Sequence, residues 1–317
     1  MKTKQRISIG KWLLQARMET PERPLELAKQ RKRRKDWQRD RLVILAVDHP
    51  ARRELAAGGD PWAMSDREEL LIRCAQVLMQ PGVDGILATP DIMEELLLLN
   101  EWVVASGGPD FLSEKVLIGS MNRGGLSQTV FELDDFVTAY TAQWIERMNL
   151  DGGKLLLRVD SESREVARTL RYCFEALVDL AELSLPAFLE PLSVPLSTDD
   201  MVRLVGVASA LGPTSCHRWL KLPMVPDFKR VARATTCPIL LLGGKNPGGP
   251  DELVDNVERC MSAGENVRGL MIGRGVLYPK DGSEPAAVAA QLAAAVHGVK
   301  TREVIRWDEW KSTHWDG

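Results

Sequence analysis

Eight short apolar runs, recurring at intervals of about 20–45 residues, punctuate the chain beyond residue 41. They are Leu42–Val47, Gly85–Ala88, Lys115–Gly119, Lys154–Val159, Ala187–Leu189, Trp219–Leu222, Pro238–Leu242 and Gly269–Ile272. Several are near-continuous in Val, Ile and Leu rather than alternating, the pattern of parallel strands covered on both faces. The stretches between them carry helical periodicity: Glu69–Met79, Glu94–Val104, Phe131–Met148, Glu165–Leu183, Met201–Leu211, Glu252–Ser262 and Ala286–Val296. Ser65-Asp66-Arg67-Glu68 has the form of a capping box ahead of the first, and Pro250 stands close to a favoured start position of another. A strand–helix unit repeated eight times within about 260 residues predicts an α/β fold, the (β/α)8 barrel. The competing arrangement is an open doubly wound sheet. The lack of a Gly-x-Gly-x-x-Gly after the first run counts against its dinucleotide-binding form.

A chain of 317 residues can bury a sizeable core without disulfide or metal staples. The five cysteines are scattered, odd in number and form no Cys-x-x-Cys pair, which predicts reduced thiols and no structural zinc. No window approaches the roughly 18 apolar residues of a membrane span, and the first residues contain no apolar core of a secretion signal. A cytoplasmic protein without membrane contact is the expectation. The net charge of -3 hides an asymmetry, because residues 1–41 hold fourteen Lys and Arg against five Asp and Glu. The densest stretch is Arg31-Lys32-Arg33-Arg34-Lys35. Such runs can bind nucleic acid. The rest of the chain is acidic and offers no groove-reading motif, so the expectation is an arm packed at the edge of the fold or at a subunit contact, with no nucleic-acid partner. Three segments follow: a basic extension over 1–41, a barrel over 42–299, and a tryptophan-rich tail over 300–317.

In a barrel, chemistry collects at the C-terminal ends of the strands. Those ends read Asp48-His49, Thr89-Pro90-Asp91, Asn122-Arg123, Arg158-Val159-Asp160, Glu190, Lys221, Gly243-Gly244-Lys245 and Gly273-Arg274, with Lys154 opening the fourth run. Lys221 is the sharpest signal, since it interrupts the apolar strand Trp219–Leu222. It points either into the barrel or into the helix layer. A buried ammonium tends to lose its proton or find a carboxylate, and a neutral amine is a nucleophile able to form an imine with a carbonyl. The plainer reading is a lysine reaching out to water from the strand's end. Lys154 poses the same question, and a second cation nearby would lower the pKa of Lys221. Glu190 reads either as a proton shuttle or as a salt-bridge partner for one of the lysines, and Asp48 either as an acid/base group or as an ion-pair acceptor. The glycine motifs after runs 7 and 8 stand where barrels frequently bind phosphate. Of four histidines only His49 sits at a strand end, so no metal is expected, and no Gly-x-Ser-x-Gly elbow is present.

Asp48-His49, Lys221, Gly243-Gly244 and Gly273-Arg274, in that order on strands 1, 6, 7 and 8, resemble the archaeal/bacterial-type class I fructose-bisphosphate aldolases and their relatives, which include the tagatose-1,6-bisphosphate aldolases. Lys154-Leu-Leu-Leu-Arg-Val-Asp160 and Phe188-Leu-Glu-Pro191 look most like the tagatose branch. The resemblance covers about residues 42–299. It implies a barrel enzyme with a lysine imine at Lys221, no metal and no separate cofactor. Lys154 and Glu190 match active-site groups, and Asp48 matches the strand-1 aspartate. The glycine motifs match a phosphate site, with His49, Lys245 and Arg274 beside it as substrate-binding candidates. A phosphorylated sugar substrate and a homo-oligomer are the expected partners. One departure matters. The fructose-bisphosphate branch carries a tyrosine acid/base just after strand 5, and Glu190-Pro191-Leu192-Ser193 has none. Tyr140 and Tyr172 fall in predicted helices and Tyr278 lies past strand 8. Proton transfer then falls to Glu190 with Lys154, which points away from fructose 1,6-bisphosphate. The chain looks like a divergent branch associated with sugar-acid and inositol catabolism. That makes 2-deoxy-5-keto-gluconate 6-phosphate one candidate substrate and a ketose bisphosphate another. The competing functional reading is a non-catalytic barrel that binds a phosphosugar.

Overall fold

The computed structural model describes residues 8–160, 163–193, 196–243, 248–298 and 305. Trp307, Trp310 and Trp315 of the tail lie outside the described residues. Eight parallel strands follow one another around a closed barrel: β1 Leu42–Val47, β2 Gly85–Ala88, β3 Val116–Ser120, β4 Gly152–Val159, β5 Ala187–Ser193, β6 Arg218–Pro223, β7 Ile239–Leu242 and β8 Val267–Ile272. β8 hydrogen-bonds back to β1, pairing Leu42 with Gly269 and Leu45 with Ile272. Closure rules out the open sheet. It also demands a glycine at the seam. Gly269 has φ 132°, and a Cβ there would lie 2.0 Å from the Leu42 carbonyl oxygen.

Side chains alternate between the two faces of each strand. The inward set, Leu42, Ile44, Ala46, Leu87, Val116, Ile118, Phe188, Trp219, Leu240 and Met271, fills the barrel together with Trp37. The outward set merges with the helices into a larger core. Continuing the inward series toward the C-terminal ends gives Asp48 after Ala46, Glu190 after Phe188, Lys221 after Trp219 and Gly273 after Met271. The polar residues at the strand ends are thus the top layer of the barrel interior.

The helical reading needs two corrections. Only Ala142–Arg147 of the predicted Phe131–Met148 helix is helical. Residues 123–141 form a loop, because local polar side chains capture the backbone groups a helix would use. The Asp135 carboxylate accepts the Gly124 amide at 2.5 Å, the Thr129 hydroxyl donates to the Leu126 carbonyl at 2.7 Å, and Thr141 caps the short helix. Tyr140 therefore lies in a loop, buried, with its ring against Gly119 of β3. The first helix after β1, Arg67–Leu78, is capped by Asp66 rather than Ser65. The Asp66 carboxylate accepts the Glu69 amide at 2.9 Å. No helix among the described residues is long and apolar enough to cross a membrane.

The basic run closes the bottom of the barrel. Asp84 and Asp151 stand just before β2 and β4, where their carboxylates accept the amides of Val43 (2.7 Å) and Leu117 (2.8 Å) on the neighbouring strands. Arg31 donates to Asp151 at 2.6 Å and to the Asn149 carbonyl at 2.7 Å, and Arg33 donates to the other Asp151 oxygen at 2.9 Å. Arg34 pairs with Asp84 at 2.5 Å and with Asp40 at 2.8 Å. Buried carboxylates that organise strand starts need a countercharge, and three arginines of the run supply it. Beyond them Trp37 enters the barrel floor. Its ring centroid lies 5.9 Å from Phe188 and 5.8 Å from Trp219. Trp37→Ala removes this plug and lowers the unfolding free energy by about 3–5 kcal/mol, the usual cost of an aromatic-to-alanine cavity. Urea titration measures it, and a loss below about 1 kcal/mol would mean that Trp37 does not pack as described.

Candidate active site

Three strands set the centre of the site. Leu189 of β5 pairs with Leu220 of β6, so the next step along both strands brings Glu190 beside Lys221. On β5's other side Leu156 pairs with Glu190, and Lys154 lies one inward position below Leu156. Asp48 reaches the same point from the end of β1. All four side chains are buried, Lys154 to 1% exposure and Lys221 to 4%. Lys154 Nζ lies 2.8 Å from Asp48 Oδ2 and 2.7 Å from Glu190 Oε2. Lys221 Nζ donates to the same Glu190 oxygen at 2.9 Å. The result is a chain Asp48–Lys154–Glu190–Lys221 in which one carboxylate oxygen is shared by two ammonium groups.

The two lysines are not equivalent. Burial alone would lower both pKa values. For Lys154 the carboxylates of Asp48 and Glu190 outweigh burial and raise its pKa above the ordinary lysine value, so it stays charged. For Lys221 burial prevails. Glu190 opposes it, the charge of Lys154 reinforces it, and the pKa falls below the ordinary value. Burial would raise the carboxyl pKa values of Glu190 and Asp48, but Lys154 and Lys221 overcome it and hold both below the usual range. Glu190 is therefore an ionised acceptor. Its two readings from sequence are compatible: it is a salt-bridge partner, and it touches the amine best suited to be a nucleophile.

A cavity of about 220 Å³ opens above this chain, lined by Asp48, Lys154, Glu190 and Lys221 and roofed by His49, Gly243, Gly273 and Arg274. His49 Nδ1 is 3.8 Å from Asp48, beyond hydrogen-bond range, and has no hydrogen-bond partner among the described residues. Burial lowers the His49 pKa to about 3, so the ring is neutral. Packing alone requires a glycine at 273, since a Cβ there would lie 2.0 Å from the Ala46 carbonyl oxygen and 2.9 Å from His49 Cε1. It caps the short helix Arg274–Leu277, where its carbonyl accepts the Val276 and Leu277 amides, both at 3.0 Å. Arg274 lies 3.4 Å from Glu54, and burial lowers its pKa. Gly244 and Lys245 lie outside the described residues.

Other strand-end residues serve structure. Asn122 bonds the backbone of Leu156 in both directions, at 2.8 and 2.7 Å, and Asp91 pairs with Arg67 at 2.6 Å. Arg158 and Arg52 do line the cavity. Arg52 lies in the turn Pro50–Arg52 just beyond the β1 end, and its only sequence signal is its closeness to Asp48-His49. Among the described residues no group of three or more His, Cys, Asp and Glu side chains is placed to hold a metal ion.

Comparison with known proteins places the fold and the family. The structure of Cgl0159 from Corynebacterium glutamicum is 38% identical to the chain with a TM-score of 0.82, over 92% of this chain and 97% of that one. An archaeal fructose 1,6-bisphosphate aldolase is 18% identical with a TM-score of 0.61, over 87% of this chain and all of that one (100%). A fructose-bisphosphate aldolase from Slackia heliotrinireducens is 15% identical with a TM-score of 0.60, over 86% and 85% of the two chains. These two distant likenesses establish a shared barrel fold. No curated protein matches the chain. The Cgl0159-like family model matches residues 40–293, which include all eight strands, and the chain belongs to that family.

Proposed function

We propose that the protein is a class I aldolase that cleaves a carbon–carbon bond in a phosphorylated ketose or keto-sugar acid through an imine at Lys221. The observation that carries this reading is the unequal lysine pair. Lys221 has a lowered pKa and sits against Glu190, next to a lysine that stays charged. The neutral Lys221 amine adds to the substrate carbonyl, and the carbinolamine loses water, with Lys154 as proton source for the departing hydroxyl. Glu190 then takes the proton from the hydroxyl on the carbon being released. The bonding electrons flow into the iminium, an aldehyde leaves, and an enamine remains on Lys221. Protonation of that enamine and hydrolysis free the second product and restore the amine. Gly243, Gly273 and Arg274 hold the phosphate, and Asp48 orients Lys154 and the substrate hydroxyls. The absence of a tyrosine near β5's end favours a substrate other than fructose 1,6-bisphosphate, with 2-deoxy-5-keto-gluconate 6-phosphate a candidate. Borohydride trapping across a panel of phosphorylated ketoses and keto-acids tests the reaction class. No adduct with any of them would favour a barrel that binds phosphosugars without catalysis.

The lysine pair has a pH consequence. Lys154 holds the Lys221 pKa down by repulsion and by sharing Glu190. Lys154→Met removes both effects, so the Lys221 pKa rises and less of it is neutral near pH 7. The rate of cyanoborohydride-trapped imine formation should therefore begin its rise at higher pH in the variant. An unmoved profile would show that Lys154 does not tune Lys221.

A further inference from the structure

The inner chamber is small. At about 220 Å³ it falls below the roughly 300–1,000 Å³ of typical ligand sites. It adjoins an outer basin of about 830 Å³, and the two share Arg52, Arg158, Arg274 and Gly275. A six-carbon substrate with its carbonyl at Lys221 would extend through this throat. Three guanidinium groups ring it. Arg158 is paired with Glu132, and Arg274 with Glu54, which also accepts the Ser127 hydroxyl at 2.5 Å. Arg52 is different. Among the described residues its guanidinium makes no hydrogen bond or ion pair, although it is half-buried and close enough to His49, Glu132 and Arg274 to influence their ionisation. Among the described residues the throat thus carries three cations against two carboxylates. An anion entering it meets a net attraction in a site partly shielded from water.

We propose that Arg52 is a specificity residue that binds a second anionic group of the substrate, separate from the phosphate held at the ends of β7 and β8. The substrate class narrows accordingly to doubly anionic sugars, with a carboxylate or a second phosphate at the end facing the outer basin. A planar guanidinium suits either group through paired N–H donors. This inference rests on the imine reading for the position of the carbonyl, but it is tested without imine chemistry.

The experiment is equilibrium binding by calorimetry in the Lys221→Met background, with and without Arg52→Ala. The probes are dihydroxyacetone phosphate, with one anionic group, fructose 1,6-bisphosphate, with two phosphates, and 6-phosphogluconate, with a phosphate and a carboxylate. Arg52→Ala should weaken at least one two-anion probe about ten- to a hundredfold and leave dihydroxyacetone phosphate within about twofold. Whichever two-anion probe loses more identifies the group that Arg52 reads. Arg52→Lys should recover part of the loss, and thermal melts of both variants should match the parent, since Arg52 serves the fold through its backbone, its amide donating to the His49 carbonyl and its carbonyl accepting the Ser127 amide. Equal weakening of all three probes would make Arg52 part of the shared phosphate site or of the scaffold and overturn the proposal. So would unchanged affinity, or no measurable binding of either two-anion probe. Failure of the imine reading would appear elsewhere, as no borohydride adduct in the chain with Lys221 intact.

Discussion

Lys221→Met abolishes the borohydride-trapped adduct and lowers turnover by on the order of 10⁵-fold or more, the usual scale for loss of a covalent nucleophile. The fold should survive. Methionine matches the length of the lysine stem, and Lys154 still pairs with both Asp48 and Glu190 after the change. Intact-mass measurement after reduction gives the readout. An adduct that persists in Lys221→Met would move the imine to Lys154, the other lysine lining the chamber among the described residues. That outcome would also mean that the countercharges of Asp48 and Glu190 do not keep Lys154 protonated.

Glu190→Gln separates imine formation from bond cleavage. Glutamine can still accept a hydrogen bond from one lysine but cannot take a proton from the substrate hydroxyl. Turnover should fall by about 10²–10⁴-fold, the typical contribution of a placed general base. Imine formation should persist. The carboxylate raises the Lys221 pKa, so its removal leaves two neighbouring ammonium groups, and the repulsion favours the neutral amine. The variant should therefore trap substrate at lower pH than the parent while releasing little aldehyde. Single-turnover trapping beside an aldehyde assay distinguishes the steps. Near-parental turnover would pass the proton transfer to Asp48 or Lys154, and loss of folding would mean that Glu190 serves chiefly as the ion-pair centre.

The barrel was legible because its evidence is periodic. The runs Leu42–Val47 and Gly85–Ala88 coincide with β1 and β2, and each of the other six overlaps a strand. The direction of Lys221 was not legible from its own run, where a lysine among apolar neighbours suits either face. Strand parity settles it through Trp219, which lies against Trp37 and Phe188 inside the barrel. The helix expected over Phe131–Met148 failed because hydrophobic spacing does not register side chains such as Asp135 that bind nearby amides. Arg52 gives little sequence signal because its distinction, a guanidinium without a partner among the described residues, is a property of three-dimensional surroundings. The basic run carried a signal of charge with no signal of destination, since Asp84 and Asp151 become its partners only when the strands assemble.

The floor plug also orders events during synthesis. Residues 31–37 leave the ribosome before any strand, yet Arg31 needs Asp151 ahead of β4, and Trp37 needs Phe188 of β5 and Trp219 of β6. A segment made before every strand is therefore among the last to seat. Until about two-thirds of the barrel has emerged, Trp37 and the charged run beside it remain exposed, available to chaperones or to a neighbouring nascent chain. A start site moved past residue 41 would relieve that wait and yield a barrel without its floor, with two rim carboxylates lacking their arginines.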